Sequence, residues 1–169
     1  MSNVVLENLL AHMAWSNNKL FEFLLNATSE QLRHTEWDSL WSPFDIVEHI
    51  VIAQERYISR LEGNFEVNDI KVGREITDLY QLSKRCQIND QKLIELAKIA
   101  PHDLTFMQKG KEVTFNSSII LAQMIHHATE HRAQIADIFS ALAFKNPGTP
   151  KLDLDGIDLW SFDNWGRSN

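Results

Sequence analysis

The strongest constraint on this chain is the spacing of its apolar residues. Four long stretches repeat them at three- and four-residue steps, and a chain patterned this way buries its apolar faces by packing helix against helix. From Val4 to about Asn26, the residues Val5, Leu6, Leu9, Leu10, Met13, Leu20, Phe21, Leu24 and Leu25 make one such stripe. Thr28-Ser29-Glu30-Gln31 has the form of a capping box and predicts a short helical turn to about Arg33. Ser42-Pro43-Phe44-Asp45 marks a second long helix. Its Ser can accept an orphan N–H, its Pro lacks the N–H the first turn leaves unpaired, and its acid suits the positive end of the helix dipole. That helix runs to about Glu62, with Gly63 placed to end it in the left-handed conformation. A third, capped by Thr77, ends before Pro101 and turns Tyr80, Leu93, Ile94 and Ala97 toward its partners. A fourth spans about Ser117 to Ala143, capped from Asn116-Ser117-Ser118 and stopped before Asn146-Pro147-Gly148.

The segments between add detail. Asn64 to Glu75 has no period and reads as a loop, long enough to favour a crossover connection. Lys109-Gly110 separates two short β-branched and aromatic segments between Leu104 and Phe115, which allows a small hairpin. The tail from Thr149 to Asn169 carries Trp160, Phe162 and Trp165, too much aromatic surface to leave in water. It is expected to fold back on the helices or across a dimer interface. With 169 residues against a prior of roughly 150 per domain, the chain reads as one domain over residues 1–169, the bundle at about 3–145 and the tail at 146–169. The predicted class is all-α, a four-helix bundle with a short extra helical turn and an aromatic C-terminal tail.

Charge and cysteine content narrow the function. The net charge is −7, from 16 basic and 23 acidic residues, and no stretch concentrates Lys and Arg, so nucleic acid is not an expected partner. No run approaches 18 apolar residues, and Met1-Ser2-Asn3 does not open a leader, so no membrane is expected and a cytoplasmic protein is. A single cysteine, Cys86, allows neither an internal disulfide nor a thiolate metal cage, and Arg85 and Asp90 near it do not make it a nucleophile. Any metal here must be held by histidines and carboxylates.

The seven histidines are where chemistry concentrates. In the fourth helix, His127 and His131 are four residues apart and share one face with Ile120, Leu121, Met124, Ile125, Ala128, Ile135, Ile138, Phe139 and Leu142, while His126 points about 100° away. A single inward histidine is ordinarily a hydrogen-bonded core residue. Two at this spacing can chelate one ion, and burying both without a metal needs several partners at once. His49, at the edge of the second helix's apolar face, can reach the seam between two packed helices as a third ligand. Three imidazoles leave a coordination position open, the arrangement of a catalytic site, and suit Zn, Ni, Fe or Cu. His12 reads as a boundary residue or a group behind the ligands, and His34 and His102 lie in loops. Asn17 faces inward and needs a partner, either a packing contact or a ligating histidine's free N–H. Arg132 and Gln134 flank His131 and could form ordinary polar contacts, orient a ligand or meet an anionic substrate.

These residues resemble the DinB/YfiT-like family of metal-binding bundles along nearly the whole chain. Trp15-Ser16-Asn17 is similar to its Trp-x-Asn, His49 lies where its first ligand is found, and His127-Ala128-Thr129-Glu130-His131-Arg132-Ala133-Gln134-Ile135 resembles its His-x3-His-Arg-x-Gln-aliphatic segment. The resemblance implies an up-down-down-up bundle, frequent homodimers, and a divalent ion, often Ni or Zn, held by His49, His127 and His131. Relatives include metal-dependent S-transferases using low-molecular-weight thiols and a thiol-dependent isomerase. The expected function is therefore activation of a thiol, or of water in a hydrolase, toward a small-molecule substrate. The alternatives are a noncatalytic metal- or ligand-binding dimeric bundle and an interaction module with unmetallated histidines. No residue is assigned as acid or base, and Leu159 to Trp165 matches no element of the family.

Overall fold

The computed structural model describes residues 4–36, 41–64, 72–108 and 110–168. Six helices and one hairpin follow in the order α1 Val4–Leu25, α2 Ser29–Arg33, α3 Pro43–Leu61, α4 Ile76–Ala97, β1 Asp103–Gln108, β2 Lys111–Asn116, α5 Ser117–Lys145 and α6 Leu159–Ser168, with a 3-10 turn at Asp155–Ile157 before α6. Local chemistry fixes several of these ends. Gln31 N–H donates to Thr28 Oγ1 while Thr28 N–H donates to Gln31 Oε1. Ser42 and Asp45 repeat the exchange at the start of α3. Gly63 (φ +76°) ends α3 and Gly110 (φ +77°) turns the hairpin, both in conformations that disfavour a side chain. Lys109, the other expected turn residue, lies outside the described residues, as does most of the expected loop after Asn64, at 65–71.

The long helices form a ring in which α1 and α3 are diagonal, each touching both α4 and α5. Cross-contacts give the directions. Asn17 with Arg132 and Phe23 with Phe139 make α1 and α5 parallel. Glu55 with Arg85 and Glu62 with Lys92 make α3 and α4 parallel. Asn17 with Asp90 and Asn18 with Gln87 run α1 against α4. The result is an all-α bundle of up-down-down-up topology, with the hairpin at one end.

Two apolar clusters fill the interior, and a polar layer separates them. One holds Leu20, Phe44, Val47, Leu82, Ile135 and Phe139; the other holds Leu10, Met13, Ile58, Leu93, Leu121 and Met124. Between them, one side chain from each long helix meets the others: Asn17, Gln54, Asp90 and Arg132, none more than 4% exposed. Asn17 Nδ2 donates to Asp90 Oδ1 (3.0 Å), Gln54 Nε2 donates to the same oxygen (2.6 Å), and Arg132 donates to Asn17 Oδ1 (2.8 Å). Burial raises the Asp90 carboxyl to about 6 and lowers Arg132 to about 10.

Three expectations about the elements change. Helix α4 begins one residue ahead of Thr77: Asp78 Oδ2 accepts the Glu75 N–H (2.9 Å), so a carboxylate pair starts the helix. Tyr80 does not face a partner; it is 54% exposed beneath Lys84, because the inward phase of α4 runs through Leu79, Leu82, Cys86 and Leu93. Helix α5 continues to Lys145, two residues past Ala143. The tail folds back as one of its two expected courses. Leu152 and Ile157 are buried, Ser16 Oγ donates to the Ile157 carbonyl (3.0 Å), His12 Nε2 approaches it at 2.9 Å, and Phe162 and Trp165 pack on Trp15.

Candidate metal centre

The site is assembled by the seam between α3 and α5, which run antiparallel. His127 and His131 stand one turn apart on α5, and His49 reaches them from α3; all three are half-buried. His127 Nε2 is 2.9 Å from His49 Nε2 and 3.2 Å from His131 Nε2. One ligand atom from each ring lies within 4.8 Å of the others. A tetrahedral ion with Zn–N bonds of about 2.0–2.1 Å separates its ligand nitrogens by about 3.3 Å, so the existing spacing needs only small adjustment.

Protonation points the same way. His131 Nδ1 is 2.7 Å from Gln134 Oε1, an acceptor only, so the proton sits on Nδ1 and the Nε2 lone pair faces the cluster. Burial, followed by the neighbouring His131, lowers the pKa of His49, and burial with both other rings lowers His127 to about 4. The lowered values favour the neutral, metal-binding form of His49 and His127. His127 Nδ1, on the far side of its ring from the cluster, is buried without a partner among the described residues. Three nitrogen donors and no carboxylate suit Zn, Ni, Cu or Fe over Mg or Ca.

Trp41 covers the cluster. Its ring lies 4.6 Å from that of His49 and stacks on that of His131 at 5.8 Å and 23°. The capping exchange at Ser42 fixes where the chain enters α3, and so where the preceding indole sits. Beside it opens a cavity of about 390 Å3, lined by Trp41, Ile46, His131, Gln134, Ile138 and two acids, Glu36 and Asp137. Lys145 (2.6 Å) and His34 (2.7 Å) bind Glu36 and hold its carboxyl below the usual range.

A family model for the DinB family matches residues 1–149, most of the chain. The chain belongs to the DinB family. No match was found among curated proteins. The matched span includes all three histidines of this DinB chain and excludes α6, so the aromatic tail is an addition to what the family model covers.

The other residues singled out from the sequence of this DinB protein sort differently. Gln134 orients His131. Asn17 does not serve a histidine; Asp90 and Arg132 occupy its amide. Arg132 turns into the core, donating to Asn17 and to Thr129 Oγ1. His12 belongs to the tail contact, not to the cluster. His126 is exposed, as expected. Cys86 is buried beside Asp90, and burial pushes its thiol up, away from nucleophilic use. Trp41, Glu36 and Asp137 escaped the sequence reading. Trp41 had a usable signal, since an aromatic just before an N-cap is directed toward the first turn of its helix.

Proposed function

We propose that this DinB chain is a cytoplasmic, divalent-metal-dependent enzyme that activates a small thiol for attack on an electrophile, with His49, His127 and His131 as ligands and nickel or zinc as the ion. The observation that carries the reading is the convergence of three Nε2 atoms from two helices beside a 390 Å3 cavity that His131 lines. An ion bound there would supply Lewis acidity, lowering the pKa of a coordinated thiol or water.

The chain's own residues do the rest. Gln134 keeps the proton on His131 Nδ1 and fixes the ring. Trp41 screens His49 and His131 from bulk water on one side. Ile46 and Ile138 give the cavity an apolar wall for the body of a small-molecule substrate. Asp137 lines the cavity with no ion-pair partner among the described residues, so it can meet a cationic substituent. Among the described residues no helix is long and apolar enough to cross a membrane. A homodimer belongs to the same proposal, supported by large exposed apolar side chains such as Phe144, 90% exposed.

The test is metal content by mass spectrometry on untagged protein purified without chelators, beside His127→Ala. About one ion per chain, lost in the variant, is expected, followed by thiol-dependent turnover of an electrophile that the variant lacks. No ion in either protein overturns the reading. A second reading, a noncatalytic staple, draws on the division of ligands between α3 and α5. It expects a large fall in melting temperature on chelation and no thiol dependence. If turnover needs water and no thiol, the protein is a hydrolase.

A further inference from the structure

A second cavity, of about 240 Å3, lies farther along the α3–α5 seam. Tyr57 and Arg60 of α3, Phe106 and Phe115 of the hairpin, and Ile119 and Ile120 of α5 line it. Eight residues of helix separate Tyr57 from His49, which places this cavity about 12 Å from the histidines. Its walls are apolar or aromatic apart from Arg60 and the Gln123 amide.

Arg60 differs from most arginines of this chain. Arg33, Arg74, Arg85 and Arg167 each meet a carboxylate, and the buried Arg132 is held by Asn17 and Thr129. Arg60 forms no ion pair among the described residues, although acids outnumber bases 23 to 16. Its guanidinium instead sits over two rings, 5.6 Å from the Tyr57 centroid and 5.4 Å from that of Phe106. Stacking uses the flat faces of the group and leaves its N–H edge able to donate. A fixed planar donor at an apolar cavity matches a carboxylate carrying an apolar body, because the body is desolvated while the charge finds a two-pronged partner.

We propose that this cavity is a binding site for a small organic monocarboxylate, its carboxylate on the Arg60 edge and its body against Phe106, Phe115 and Ile119. The volume lies below the roughly 300–1,000 Å3 of drug-sized sites, which limits the body to about one ring. The site is distinct from the three-histidine cluster and does not depend on a metal there.

The test is titration of the full chain with benzoate and with neutral benzyl alcohol, followed by calorimetry and saturation-transfer NMR. Saturable benzoate binding is expected, about tenfold or more tighter than for the alcohol. It persists in His127→Ala and weakens about tenfold in Arg60→Met, which keeps the apolar stem and removes the charge. Ile119→Asp, at a 59% exposed position, weakens binding without disturbing the core and decides the matter if Arg60→Met does not fold. The proposal is overturned by no saturable binding below about 10 mM. Equal affinity for the alcohol, loss of binding in His127→Ala, or unchanged binding in both cavity variants overturns it as well.

Discussion

Arg132 and His131 are neighbours on α5, yet one belongs to a closed polar layer and the other to an open cluster. In the layer, four side chains from four helices are almost wholly buried and hydrogen-bond chiefly to each other, with Gln54 Oε1 left without a partner among the described residues. In the cluster, three half-buried rings turn their Nε2 atoms toward one another, and His127 Nδ1 has no partner among the described residues. Burial acts on both in the same sense, favouring the uncharged form: Asp90 rises to about 6 and His127 falls to about 4. The difference lies in chemistry and access. A buried network of opposed donors and acceptors holds a fold together, whereas like nitrogen ligands converging at a half-buried seam are a place for something else to bind.

The comparison breaks first at Asp90. Asp90→Ala leaves Arg132 buried without its countercharge, so a loss of about 3–5 kcal/mol is expected, or roughly 6–20 °C in melting temperature. A loss below about 1 kcal/mol in urea denaturation would remove the layer from its structural role.

Next comes pH. With a native value near 6 against an ordinary 3.8, Asp90 keeps its proton in the folded chain while the unfolded chain releases it. Stability therefore falls as pH rises from about 4 to about 6, by up to about 3 kcal/mol from this group. The difference between the unmodified chain and Asp90→Asn isolates that slope, since the histidines contribute equally to both; parallel stability curves across the window would refute it.

Smaller in energy is Gln134→Ala. Removing the acceptor on His131 Nδ1 should weaken Zn or Ni affinity about 10- to 100-fold in a competition titration. Folding stability without metal should stay within about 0.5 kcal/mol, as Gln134 is exposed. An unchanged affinity would show that the ring is held by packing alone. The smallest effect belongs to His127→Ala in excess chelator. Its ring has an unpartnered nitrogen to lose, so metal-free stability should change by less than about 1 kcal/mol, and a larger drop would make the cluster a structural element like the layer.

How legible each region was depends on the distance the information must travel along the chain. His127 and His131 could be paired because one turn of helix relates them, and the stop at Gly63 and the cap at Ser42 are equally local. His49 was reachable because its phase on α3 leaves it at a seam. The polar layer was not read as a unit: its contacts join residues 36, 73 and 115 positions apart, and no local period announces them. Its trace was present, since Asp90 falls in the inward phase of α4 between Cys86 and Leu93, and Gln54 falls between Val51 and Ile58 on α3. A polar residue at an apolar phase marks a need for a partner without naming it, which is how Asn17 came to be offered to a histidine. Tyr80 shows the opposite error, an aromatic side chain taken as inward where the phase of α4 turns it out.

His131 and Arg132 are consecutive, and an α-helix turns by about 100° per residue, so this stretch of α5 carries two obligations on two different faces. A single residue inserted between Met124, buried in one apolar cluster, and Ile135, buried in the other, would rotate one half of the helix against the other. Either the ligand face or the core face would then point the wrong way. Substitutions can accumulate in this segment, but changes of length cannot. Descendants of this chain should therefore keep the count from His127 to Ile135 fixed.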